Sequence, residues 1–280
     1  MASLRKITIR LAMLVGLVGV ATLAVLAYHL LSTPQRVALV VPSVTATRIS
    51  FFALGDQGAG WLDQWSVARS MEKVAEKTGN LDFVIFLGDN FYNDGIQSTE
   101  DRQWNWKFEN MYSGTKLATI PFYAVLGNHD VQVYGEAQIQ YSRKQAGSGR
   151  WQMPGHYYSR DFGTDNGHPL LRVFFVDSNV LTPEGMAKQL RFIEESFAPP
   201  ASQATWRIVA AHHPIRNFGK HGETPELVSA LLPILKKNHV DLYMAGHDHN
   251  QQLIVRDGEP YYVISGAGGK SIPLYTTHMT

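Results

Sequence analysis

Five short apolar runs in this 280-residue chain each end on a small group of oxygen and nitrogen donors. "FFAL" ends at Gly55-Asp56, "VIFL" at Gly88-Asp89, "YAVL" at Gly127-Asn128-His129-Asp130, "IVAA" at His212-His213, and "LYMA" at Gly246-His247-Asp248-His249. One such ending would mean little, but five in one style point to a shared site. The donors are carboxylates, an amide oxygen and imidazoles, joined by the phenol of Tyr92 three residues after Asp89. Hard oxygen donors and imidazole suit iron, zinc or manganese rather than soft copper(I). The set is too large for one tetrahedral ion, whereas two neighbouring ions sharing one carboxylate would use all of it.

The elements that must position these residues follow from the apolar pattern. "RISFFAL", "FVIFL", "FYAVL", "RVFFV", "RIVAA" and "DLYMA" are nearly continuous in apolar character, as strands buried on both faces are. Between them, the spacing predicts helices over Trp61–Lys77, Glu100–Tyr112, Glu184–Phe197 and Pro225–Lys237, the last opened by the Thr224-Pro225 pair. "QQLIVRDGEPYYVIS" reads as a hairpin turning at Asp257-Gly258. This alternation is an α/β layered pattern in one domain, and ligands in such sheets gather outside the carboxyl ends of the strands.

The N-terminus has a different character. "MASLRKITIR" carries Arg5, Lys6 and Arg10 without an acid, and Leu11 to Leu31 then run without a charge. That is the length of a bilayer-spanning helix, and the positive flank predicts a cytoplasmic N-terminus with the remainder exported. A cleaved signal peptide, cut after "VLA" at Val25–Ala27 or "VTA" at Val44–Ala46, is the rival reading and would give a secreted protein. The expected organisation is a basic flank and anchor over 1–31, a tether over 32–47 and a catalytic-type domain over 48–280. A net charge near zero argues against a nucleic-acid surface. The absence of cysteine excludes disulfides, thiolate metal sites and a cysteine nucleophile.

Taken in order, the blocks resemble the metallophosphoesterases, and among them the purple acid phosphatases of the small tartrate-resistant type. Their pattern of D-x-G, G-D-x-x-Y, G-N-H-D/E, V-x-x-H and G-H-x-H stands here as Asp56-Gln57-Gly58, Gly88-Asp89-Asn90-Phe91-Tyr92, Gly127-Asn128-His129-Asp130, Val209-Ala210-Ala211-His212 and Gly246-His247-Asp248-His249. The resemblance runs from about Arg48 to Gly268. It implies a four-layer α/β/β/α sandwich of two mixed sheets, preceded here by the N-terminal transmembrane helix. It also gives the phenol a role: most metallophosphoesterases carry D-x-H in the first block, and with Gly58 at that position Tyr92 would supply the missing ligand.

The same resemblance implies a binuclear centre of Fe(III) with Fe(II), Zn(II) or Mn(II). Asp56, Asp89, Tyr92 and His249 would hold the ferric ion, and Asp89, Asn128, His212 and His247 the divalent one, with Asp89 bridging. His129 would contact phosphate and His221 would protonate the leaving group, so that phosphate monoesters are hydrolysed by metal-bound hydroxide. Asp130 and Asp248 would orient ligands, His213 is a further candidate for that role, and Arg216 could touch phosphate or line the surface. His156, His168, His239 and His278 have no expected role, and the tryptophans of "RQWNWKF" are expected to pack.

Two departures stand out. "VLTPEGMAKQL" leads almost directly into a helix where mammalian members carry an inhibitory loop, which implies activity without trimming. Family domains also continue with further strands after the block seen here as "SGAGG", whereas this chain ends at "KSIPLYTTHMT". The sheet is therefore expected to fall short of its last strands. The alternatives to a phosphomonoesterase are a phosphodiesterase of the same superfamily and a catalytically weak, metal-binding surface protein. The oligomeric state is open.

Overall fold

The computed structural model describes residues 2–180, 183–197 and 203–271. Helix α1 (Ala2–Leu31) meets the domain only near its C-terminal end, and the described side chains of Leu11–Tyr28 are exposed. Four parallel strands follow: β1 (Phe51–Leu54), β2 (Phe83–Phe86), β3 (Phe122–Ala124) and β4 (Trp151–Gln152), adjacent in chain order. Helix α2 (Leu62–Thr78) connects β1 to β2 and ends at Gly79 in the left-handed conformation, as helix C-termini commonly do. Helix α3 (Glu136–Arg143) lies between β3 and β4.

The second sheet has six strands in the order β5-β6-β7-β8-β10-β9. They are β5 (Tyr158–Asp165), β6 (His168–Phe175), β7 (Trp206–Ala210), β8 (Leu242–Ala245), β9 (Gln251–Ile254) and β10 (Tyr261–Ser265). Its outer pairs are antiparallel and its inner pairs parallel, so mixed pairing among the described strands belongs to this sheet alone. Helices α4 (Pro183–Ser196), α5 (Pro225–Ala230) and α6 (Leu232–Lys237) cover it.

Strand alternation explains the layering. On β6, Val173 and Phe175 join the core between the sheets, while Phe174 and Val176, just past the strand end, join the core beneath α4–α6. The inter-sheet core is aromatic, with Phe83 stacked on Phe162 at 4.2 Å and Tyr158 on Phe175 at 4.4 Å. With α2 on the outer side of the first sheet, the order is α/β/β/α.

Several elements differ from expectation. Over 100–112 the helix is confined to 103–109, and its main part, Asn105–Glu109, is π-helical, with Asn110 N–H donating to the Asn105 carbonyl. The apolar period there is genuine, since Trp104, Phe108 and Tyr112 are all buried, but tertiary packing sets the hydrogen bonds. The helix expected over 225–237 is broken at Leu231, because Pro233 has no N–H to continue the ladder. Strand β5, "YSRDFGTD", was hidden by its polarity: as an edge strand it buries only Tyr158 and Phe162. Residues 32–47 are pinned to the domain, with Val37 and Val40 N–H donating to Ser148 and Thr119 carbonyls, and Thr164 N–H to Ala46. The C-terminal "IPLYTTHMT" and Leu181–Thr182 lie outside the described residues.

The loop after β7 is tied to the β9–β10 hairpin by Arg216, which donates to both Glu259 carboxylate oxygens at 2.9 and 2.7 Å and to Glu223 at 2.7 Å. The Arg216 hydrogen bonds hold the Glu259 carboxyl at about 2, below its ordinary 4.5. A lowered carboxyl contributes fully above its unfolded value and loses that contribution as pH falls through the folded one. Glu259→Gln should therefore be less stable than wild type at pH 6, with the gap in denaturant midpoint closing towards pH 2. A gap that stays constant over that range would contradict this role.

Candidate metal centre

The parallel strands β1, β2 and β3 of one sheet and β7 and β8 of the other place their carboxyl ends side by side. Three of the donor residues just beyond them sit in the left-handed region: Asp56 at φ 59°, Asp89 at φ 54° and His247 at φ 70°. Asp and His visit this region only occasionally, and such strain, on the order of 1–3 kcal/mol each, collects at functional sites. Gly58 explains why the first block lacks a histidine. A Cβ there would lie 2.2 Å from the Asn90 carbonyl oxygen, so no side chain fits. That close approach, sealed by Tyr92 N–H donating to the Gly58 carbonyl at 3.0 Å, carries the Tyr92 ring inward.

The donors converge in two groups. In the first, Tyr92 OH donates to Asp56 Oδ1 at 2.9 Å, and His249 Nε2 lies 3.1 Å from that hydroxyl and 3.4 Å from the same carboxylate oxygen. In the second, His212 Nε2 is 3.0 Å from Asn128 Oδ1, and His247 Nδ1 is 3.1 Å from that oxygen and 3.3 Å from His212 Nε2. Asp89 reaches both: its Oδ1 is 3.5 Å from His212 Nε2, and its carboxylate also acts on the Tyr92 hydroxyl. Ligand atoms of Asp56, Asp89 and His212 all lie within 4.8 Å of one another, as do those of His212, His213 and His247.

This arrangement fits a pair of cations. The Leu87 carbonyl can only accept, so His212 Nδ1, 2.8 Å away, donates to it and leaves Nε2 to face the site. Burial opposes charge on this ring, but the Asp89 and Asp56 carboxylates outweigh it and raise the group, so the site draws positive charge to Nε2. Nε2 faces an amide oxygen and a second imidazole nitrogen, where a metal cation would supply the positive charge in place of a proton. Buried groups normally find complementary partners, and a cation is the partner this convergence lacks. The charges agree. Burial raises the Asp56 carboxyl, and burial followed by the Asp56 and Asp89 carboxylates pushes the Tyr92 phenol far above its ordinary range. Burial and the neighbouring histidines push His247 far down. For Asp89, burial opposes ionisation, but His212 and the His129 backbone hydrogen bond outweigh it and lower the group. The pocket thus concentrates anions and lone pairs where a cation would reverse the penalty.

His129 and His221 lie at the rim of these groups. The His129 backbone N–H donates to Asp89 Oδ1 at 2.9 Å, its Nε2 is 4.0 Å from Asp89 Oδ2, and its ring is 4.6 Å from that of Tyr92. His221 stacks obliquely on His247 at 4.2 Å, and its Nδ1 is 3.2 Å from Asp248 Oδ1. All nine expected site residues are therefore brought together.

The supporting residues fall differently from expectation. Asp130 touches no donor side chain; it accepts from the backbone N–H groups of Asn90, Phe91 and Gly127 and from the Asn90 and Gln138 amides, bracing the loops that carry Asp89 and Asn128. Asp248 orients His221 rather than a metal donor. His213 Nδ1 is 2.9 Å from the Ser178 hydroxyl, and Arg216 is taken up by Glu223 and Glu259. His156 pairs with Asp177 at 2.9 Å.

Two lysines were missed. Lys107 donates to the Tyr92 carbonyl and is lowered to about 8 by burial, and Lys270 lies 3.6 Å over the Tyr92 ring. No spacing rule joins positions 107 and 270 to 92; only the fold does.

The calcineurin-like phosphoesterase family matches residues 50–251, a span that includes every candidate site residue. Purple acid phosphatase 17 of Arabidopsis thaliana is 37% identical over 82% of this chain and 71% of its own length. Tartrate-resistant acid phosphatase type 5 of Sus scrofa is 31% identical over 83% of this chain and 76% of its own. Among solved structures, GAP50, titled the anchor in the inner membrane complex of Plasmodium, superposes with a TM-score of 0.70 at 28% identity, over 81% of this chain and 76% of that one. With this coverage and this site, the chain belongs to the calcineurin-like phosphoesterases and, within them, to the purple acid phosphatases of the small tartrate-resistant type.

Proposed function

We propose that the chain is a membrane-anchored, extracytoplasmic acid phosphatase that hydrolyses phosphate monoesters at a centre of one ferric and one divalent ion. The observation that carries this reading is the pair of donor groups sharing Asp89, with two non-ligand imidazoles at their rim. Asp56, Asp89, Tyr92 and His249 would hold the ferric ion, and Asp89, Asn128, His212 and His247 a divalent iron, zinc or manganese. Two ions held there supply neutralisation of phosphate charge and a nucleophile at acid pH.

The chain's own residues do the rest. His129, fixed through its backbone to Asp89, faces the phosphate and stabilises charge developing on its oxygens. His221, oriented by Asp248, delivers a proton to the departing alkoxide. Asp130 keeps the loops of Asp89 and Asn128 in register. Residues 1–31 serve as the anchor, supported by the 19-residue apolar run Arg10–Tyr28 and the basic flank; a cleaved signal would leave the same domain secreted. Residues 32–47 join it to the catalytic domain over 48–280. The likeness to GAP50, described as the anchor in the inner membrane complex of Plasmodium, supports the alternative of a catalytically weak, metal-binding surface protein. His129 and His221 in place beside the full donor set favour turnover. Activity on p-nitrophenyl phosphate well above that on bis-p-nitrophenyl phosphate separates the monoesterase from a phosphodiesterase, and the reverse preference would overturn it.

Two variants test the division of labour. Tyr92→Phe should bleach or strongly shift the broad visible band expected of the oxidised, iron-loaded protein while the fold persists. An iron-loaded wild type without such a band would remove Tyr92 as ligand. His221→Ala should keep both ions but slow alkyl phosphates by about 100- to 10,000-fold, and p-nitrophenyl phosphate, whose leaving group needs little protonation, much less. Equal slowing of both substrates would exclude leaving-group protonation by His221.

A further inference from the structure

The start of α2 exposes a contiguous apolar surface that the described chain leaves open. Trp61, Leu62 and Trp65 are 70%, 79% and 54% exposed. Trp106 packs edge-on against Trp61 at 5.7 Å and donates its indole N–H to the Gly60 carbonyl, fixing both rings. These side chains wall a groove of about 470 Å³ whose lining also includes Leu26 of α1. The contact is visible in the helix: Leu26 is 43% exposed where Leu23 is 67%. The base of α1 is fixed here as well, by Asn110 Nδ2 donating to Ser32 Oγ at 3.1 Å and by the Asn105 amide bonded to the Ser32 carbonyl.

Leu26 is two residues from the end of the apolar run Arg10–Tyr28. At a rise of about 1.5 Å per residue, the groove lies within roughly 3 Å of that end along the helix. Trp61 and Trp65, which line the same groove as Leu26, therefore open next to the end of that run. Tryptophan and tyrosine concentrate at the headgroup level, where an apolar ring meets a polar edge, and Tyr28, 65% exposed, closes the same run. The charge is complementary to phospholipid. The Arg69 guanidinium sits 5.7 Å over the Trp65 ring, and Arg102 is exposed beside Trp61 and Trp106. Against these stands the exposed Asp63, while Glu72 is spent on the Lys116 and Leu117 backbone N–H groups.

We propose that the face formed by Trp61, Leu62 and Trp65 inserts into the headgroup layer of the bilayer that α1 crosses, so that the catalytic domain lies against the membrane instead of swinging above it. This rests on the reading of α1 as an anchor. Because the chain has no cysteine, single labels can be placed without background. The full chain carrying Leu62→Cys, Val18→Cys or Leu253→Cys, spin-labelled and reconstituted into phosphatidylcholine–phosphatidylglycerol vesicles, is read by collision with oxygen against collision with a water-soluble nickel chelate. Leu253, 69% exposed on β9, reports an exposed apolar site away from the face.

The expected result is a several-fold higher oxygen-to-nickel ratio at both Val18 and Leu62 than at Leu253. In a Trp61→Ser/Trp65→Ser background the ratio at Leu62 should fall to that of Leu253 while Val18 keeps its value. Val18 in lipid with Leu62 in water would overturn the docking and leave the anchor. Both in water would overturn both. Leu62 in lipid with Val18 in water would overturn the anchor, and with it the proposal as stated, leaving only a peripheral contact. A Leu62 ratio unchanged by the serine pair would show that the tryptophans do not make the contact.

Discussion

The structure depends on a convergence of buried electron-pair donors around one carboxylate, Asp89. His212 Nε2, His247 Nδ1 and Asn128 Oδ1 lie 3.0–3.3 Å apart, and Asp56, Tyr92 and His249 form a similar knot beside them. Buried anions and lone pairs at such spacing repel unless positive charge lies among them. Asp89 belongs to both groups, which is why one carboxylate can couple two ions.

The fold supplies the rigidity this convergence demands. Parallel strands from two sheets deliver donors to one edge, and the aromatic inter-sheet core fixes the distance between them. Left-handed backbone at Asp56, Asp89 and His247 turns the side chains inward. Gly127 has no room for a Cβ, which would lie 2.2 Å from Asp89 Oδ1, so the third strand end can close on the second. Asp130 then gathers the N–H groups of both loops, and Arg216 holds the His221 loop to the hairpin. The placement of the donors therefore depends on residues that are not among them.

Much of this was legible in the sequence, for a physical reason. Central strands are buried on both faces and read as apolar runs, and their ends carried the donors, so β1, β2, β3, β7 and β8 and the nine candidate site residues could be placed. What escaped was set by tertiary context. The edge strand β5 is polar on one side, α3 is eight residues long with no side-chain cap at its start, and β4 is two residues long. The buried Arg150–Glu109 pair, at 2.9 Å, joins residues 41 positions apart that no local pattern connects. Lys107 and Lys270 reach Tyr92 in the same way. Asp130 and Asp248 were placed near the donors correctly, but spacing could not tell a loop brace from a histidine partner.

The central claim is that the donor set holds two ions around Asp89, and metal stoichiometry tests it most directly. The protein stripped by chelation and titrated with ferric and divalent ions should take up two equivalents per chain, with a thermal midpoint that rises as each site fills. Saturation at a single equivalent, or an unfolding temperature indifferent to metal, would contradict the account.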